Sequence, residues 1–94
     1  MILRILGEGQ FDVPDDRLEE LNRLDDDLQR AVEAGEQEGF TRALSALLTG
    51  IRTAGEELPE DYLGPSALVL PGPDSTLEEV QEILTDRDEG LIPG

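Results

Sequence analysis

The chain has 94 residues, 37% of them apolar, and 23 acidic residues against 7 basic ones, a formal net charge of −16. That length makes one domain with a modest core, and leaves little room for a deep substrate cavity besides. With no Cys, no His and no run of about 18 apolar residues, disulfides, thiolate metal sites and bilayer-spanning helices are all excluded. Residues 2–6 are apolar except for Arg4, which predicts a strand buried on most of both faces. Gly7-Glu8-Gly9 is a plausible turn, and Gln10-Phe11-Asp12-Val13 alternates as a half-buried strand does, so residues 2–13 read as a β-hairpin.

Pro14-Asp15-Asp16 opens a helix, with proline suited to the first turn and the aspartates to the positive end of the dipole. Leu18, Leu21, Leu24, Leu28, Ala31 and Val32 recur on one stripe, and Glu19, Glu20, Asp25, Asp26, Asp27 and Glu33 between them are expected to face water. Gly35 ends this helix. A second runs over residues 36–53, with Phe40, Ala43, Leu44, Leu47, Leu48 and Ile51 apolar and Gly55 as its stop. The short connection predicts an antiparallel αα-hairpin in which Leu24, Leu28 and Val32 face Phe40, Leu44 and Leu47. Gly50 costs this second helix about 1 kcal/mol relative to Ala, and either permits a close backbone approach or is simply tolerated.

Residues 58–63 suggest one helical turn, and residues 67–70 a short apolar strand closed by Pro71-Gly72-Pro73. Ser75 with Glu78 and Thr76 with Glu79 form two overlapping capping boxes for a third helix, whose apolar residues are Leu77, Val80, Ile83 and Leu84. Residues 86–90 read as a solvated turn, and Leu91-Ile92-Pro93-Gly94 follow as exposed or docked residues. The fold class is α+β: one small domain over residues 1–94, built of an N-terminal β-hairpin, an αα-hairpin, a further short strand and a third short helix.

The chemistry is defined mostly by what is missing. Ser45, Ser66 and Ser75 have no His, Cys or Lys to activate them, so carboxylates are the remaining acid–base groups. Sugar subsites usually want aromatic platforms, and the chain offers only Phe11, Phe40 and Tyr62. Asp25, Asp26 and Asp27 are consecutive on a helix and fan outward, so they cannot converge on one ion. Asp86-Arg87-Asp88-Glu89-Gly90 begins like a calcium loop but lacks its later ligands. Gly7-Glu8-Gly9 begins like a dinucleotide fingerprint, but Asp12 stands where the third Gly belongs. The expectation is a protein that is not an enzyme and holds neither metal nor cofactor.

Such an acidic surface repels phosphate backbones and anionic headgroups, so neither nucleic acid nor membrane is an expected direct partner. A basic protein would be attracted and steered. Adaptation to a salty cytoplasm explains the charge equally well. The first six residues are too short for a signal-peptide core, which predicts a cytoplasmic protein.

Several stretches together resemble one family. The opening Met1-Ile2-Leu3-Arg4-Ile5-Leu6-Gly7-Glu8-Gly9-Gln10 is similar to that of the small PspA-associated proteins (PspAA). So are Leu18-Glu19-Glu20-Leu21-Asn22 with Leu24-Asp25-Asp26, and Phe40 leading into the leucines of the second helix. Pro65-Ser66-Ala67-Leu68-Val69-Leu70-Pro71, Thr76-Leu77-Glu78-Glu79-Val80 and Gly90-Leu91-Ile92-Pro93-Gly94 extend the likeness across the chain. The resemblance implies a companion of PspA, the coiled-coil protein of the phage-shock envelope-stress response. PspA-like proteins protect damaged inner membrane and share a superfamily with the membrane-remodelling ESCRT-III proteins. On this reading the protein binds PspA, tunes its assembly or membrane access, and is recruited to the inner face of the membrane through it.

The resemblance transfers no site. The expected contact is either the acidic face around Asp25, Asp26 and Asp27, or the apolar segments Leu68-Val69-Leu70 and Leu91-Ile92. Leu91 and Ile92 suit closing the domain's own core equally well. The rival readings are an antidote that masks a basic partner's site by charge mimicry, a carboxylate enzyme, and a halophile's structural domain. A homo-oligomer is compatible with the sequence, and nothing in it demands one.

Overall fold

An apolar run broken by Arg4, a Gly-Glu-Gly turn and an alternating segment produce the predicted hairpin. In the computed structural model, which describes residues 1–59, 61–62, 64 and 68–85, β1 (Ile2–Ile5) pairs antiparallel with β2 (Gly9–Asp12). The register sets Leu3 opposite Phe11 and Ile5 opposite Gly9. Gly7 and Gly9 both take positive φ (85° and 133°), where a side chain is strained, and the Glu8 amide donates to the Ile5 carbonyl at 3.0 Å.

After a 3₁₀ turn at Asp15–Arg17, α1 (Leu18–Ala34) and α2 (Gln37–Ala54) form the antiparallel pair. Gly35, at φ 66°, makes the reversal: its amide donates to Val32 and that of Glu36 to Ala31, a Schellman closure. Gly39 and Gly50 of α2 lie against α1, beside Ala31 and beside Leu21 and Leu24 respectively. A Cβ on Gly50 would lie 2.8 Å from Leu24 Cδ1 and 3.2 Å from Leu21 Cδ2, so this glycine serves a close approach of the two helices.

The chain then adds β3 (Glu56–Glu57) antiparallel to β2, and β4 (Leu68–Leu70) parallel to β1, giving a mixed sheet in the order β3-β2-β1-β4. α3 (Leu77–Thr85) packs on α1. Its N-terminus carries a reciprocal capping box, in which the Glu79 amide donates to Thr76 Oγ1 and the Thr76 amide to Glu79 Oε1. Of the two overlapping boxes in the sequence, this is the one formed.

One face of the sheet meets the helices. Leu3, Ile5, Phe11, Val13 and Leu70 are buried there with Leu21, Leu28, Val32, Phe40, Leu44, Leu47, Leu48, Ile51 and Val80. The expectation that β1 is buried on both faces is therefore corrected: Arg4 is exposed and Leu6 is 52% exposed, because the helix pair covers a single face. Gln10 is buried: its carbonyl accepts from the Leu58 amide and its Nε2 donates to the Gly64 carbonyl at 3.3 Å. The predicted turn in this stretch has one described bond, Tyr62 N–H to the Pro59 carbonyl.

Candidate protein-interaction surfaces

The outer face of α1 presents Glu19, Glu20, Asp26, Asp27 and Glu33 to water. Its arginines are held locally, Arg23 on Glu19 at 3.5 Å and Arg30 on Asp27, while Arg17 of the preceding turn reaches Glu20 at 3.6 Å. Each such exposed pair contributes about 0–1 kcal/mol, so the pairs orient the arginines more than they stabilise the fold. α3 adds Glu78, Glu79 and Glu82, all exposed. On the sheet edge Asp12 and Glu56 stand directly opposite each other, and the Met1 ammonium lies 3.7 Å from Asp12, offsetting the repulsion of like charges.

The structure separates the residues expected to meet a partner. Asp26 and Asp27 are exposed on α1. Asp25 is only 1% exposed, at a position that turns inward beside Leu21, Leu28 and Val32, and its Oδ2 accepts from Gln29 Nε2 at 3.4 Å. The expectation that Asp25 faces water is corrected: the helical repeat carries it onto the buried side one turn after Leu21. In the apolar segment Leu70 is fully buried and Leu68 half-buried, which leaves Val69 at 40% exposure. Val69 and Arg4 share the sheet face that points away from the helices, so Val69 and the acidic α1 face lie on opposite sides of the molecule. Leu91 and Ile92 lie outside the described residues.

Glu8 and Arg52 tie the hairpin turn to the last turn of α2 through two hydrogen bonds, one of them 2.7 Å from Nε to Oε1. These bonds hold the Glu8 carboxyl below its ordinary value near 4.5, against a smaller opposing effect of burial, and raise the Arg52 guanidinium correspondingly. A lowered carboxylate pKa means that the pair's contribution is complete above about pH 4.5 and is lost as pH falls through the folded-state value. Glu8→Gln is expected to lower stability by about 0.2–1 kcal/mol at pH 7. Thermal melts of wild type and variant should converge once pH has fallen below the lowered Glu8 value. A difference that persists when the carboxyl is protonated in both the folded and the unfolded state would mean that charge is not the origin of the effect.

One surface went unread in the sequence. α2 exposes Thr41, Arg42, Ser45, Ala46, Thr49 and Thr53 on the side away from the core. An open groove of about 520 Å³ runs between this face and Arg17 and Glu20. It adjoins a second of about 480 Å³ beside Glu38 and Thr41, and Arg42 and Ser45 line both. The signal was present as a run of residues, 39–55, with no Asp or Glu in a chain that has 23 of them. Among the described residues no group of three His, Cys, Asp or Glu side chains is placed to hold a metal ion.

A small α+β domain with a four-stranded mixed sheet, one helical layer and a strongly acidic exterior is therefore the class of protein that this geometry defines. The family of PspA-associated proteins matches the chain over residues 1–94, and the chain belongs to that family. Comparisons with curated proteins and with solved structures found no match.

Proposed function

We propose that this protein is a non-catalytic binding partner of a PspA-type coiled-coil protein and tunes that protein's assembly or its engagement with membrane. The observation that carries the reading is the family match over the whole chain. The acidic exterior supports it, since carboxylates on α1 and α3 would steer a partner with basic helical faces toward the domain. No helix among the described residues is long and apolar enough to cross a membrane, which fits recruitment to the inner face of the membrane through a partner rather than by insertion. On this reading the phage-shock envelope-stress response is the setting in which the complex works.

The test is capture of partners by the tagged chain from its native cytoplasm at about 0.1 M and about 1 M salt, a range over which the Debye length falls from about 10 to 3 Å. Recovery of a PspA-type protein at both salt concentrations is the expected result. Recovery of a different, basic protein at low salt alone would replace this reading with masking of a basic site by charge mimicry.

A further inference from the structure

We infer that the partner's docking site is the outer face of α2 beyond its first turn, and that its occupant is an amphipathic helix of the PspA-type protein with a carboxylate set on Arg42. The inference rests on the reading above and adds the surface. Burying a hydrated carboxylate without a matched partner is expensive, and interface centres are accordingly depleted in Asp and Glu and enriched in Arg. The exposed faces of α1 and α3 carry carboxylates throughout, so they suit long-range steering better than close contact. α2 has the opposite character. Over residues 39–54 it carries no acidic side chain, and the carboxylates that line the grooves are Glu20, which is paired with Arg17, and Glu38 at the N-terminal end.

Its shape favours a helix. The two adjoining grooves share Arg42 and Ser45 and together follow α2, an 18-residue helix about 27 Å long. Side chains there are short, as Ser45, Ala46, Thr49 and Thr53 require, so a second helix can approach closely along its apolar stripe. Charge fixes the chemistry of the occupant. Arg17, Arg23, Arg30 and Arg52 each have a carboxylate partner, whereas exposed Arg4, on the sheet, and exposed Arg42 make no ion pair among the described residues, and of these two it is Arg42 that lines both grooves. A guanidinium in that position matches a carboxylate on the incoming helix.

The experiment is calorimetric titration of the full chain with the purified PspA-type protein. Ser45→Glu and Thr49→Glu place a carboxylate in the groove at exposed helical positions, and circular dichroism checks that each variant folds. The expected result is a tenfold or greater loss of affinity for both and for Arg42→Glu, with partial retention by Arg42→Lys. Asp26→Asn with Asp27→Asn should change affinity by less than threefold while flattening its salt dependence. Wild-type affinity in Ser45→Glu and Thr49→Glu would overturn the α2 surface and leave the partnership standing. Absence of binding by the wild-type chain would remove both together.

Discussion

Phe40→Ala is expected to lower the stability of the domain by about 3–5 kcal/mol, a large share of the 5–15 kcal/mol that holds a typical domain folded. Phe40 is 1% exposed and heads the largest fully buried side chains. It sits one turn into α2, where its amide donates to the Glu36 carbonyl at 2.9 Å, so the αα-turn and the core are anchored at one residue. Truncation removes the ring's transfer energy and leaves a cavity beneath α2 that the helix cannot close without shifting Leu44 and Leu47. At roughly 4–8 °C per kcal/mol for a domain of this size, the midpoint should fall by more than about 12 °C. The melts need a fixed ionic strength, since repulsion within a surface of net charge −16 is itself screened by salt. A drop of only a few degrees would mean that the site collapses around the missing ring and that α2 is not anchored there.

The helical layer was legible because periodicity and punctuation agreed. Leu18, Leu21, Leu28 and Val32 recur on one side of α1, Gly35 closes it, and Phe40, Leu44, Leu47 and Ile51 repeat the pattern in α2. The hairpin was legible from its punctuation, two glycines between an apolar run and an alternating one. β3 was not, because Glu56 and Glu57 have no strand character of their own and pair through the backbone alone beside Phe11 and Asp12. Asp25 was misread because one carboxylate on an apolar stripe looks like its neighbours Asp26 and Asp27, and only packing distinguishes a buried position from an exposed one.

The candidate surface was harder to read than the fold. Acidic residues attract the eye, yet they mark where water stays. The α2 face is a gap in the charge pattern, visible only as the absence of Asp and Glu over residues 39–55, and its significance depends on those side chains standing on an uncovered face. That second condition is tertiary. A sequence can hold an acid-free run in a buried helix with no consequence for binding.

Gly72→Ala is expected to cost about 3 kcal/mol although glycine's conformational freedom is not what the position needs. Among the described residues the positive-φ glycines are Gly7, Gly9 and Gly35, so the backbone at Gly72 suits any residue. The demand is spatial: a Cβ built there would lie 2.3 Å from the Leu6 carbonyl oxygen, and the obstacle is backbone that cannot rotate aside. Leu6 also donates its amide to the Leu70 carbonyl at 3.1 Å, the bond that ends the parallel pairing of β1 with β4. Making room for a methyl group therefore stretches that bond and displaces Ile5 and Leu70, both fully buried, from the core. Gly39→Ala supplies the contrast. Its Cβ would meet its nearest atoms at 3.6–3.7 Å, an ordinary contact, and the helix should gain up to about 1 kcal/mol in propensity. Denaturant titration of the two variants should thus move in opposite directions from wild type. If Gly72→Ala proves neutral, the Leu6 strand end has slack, and β4 is attached to the sheet more loosely than its register with β1 implies.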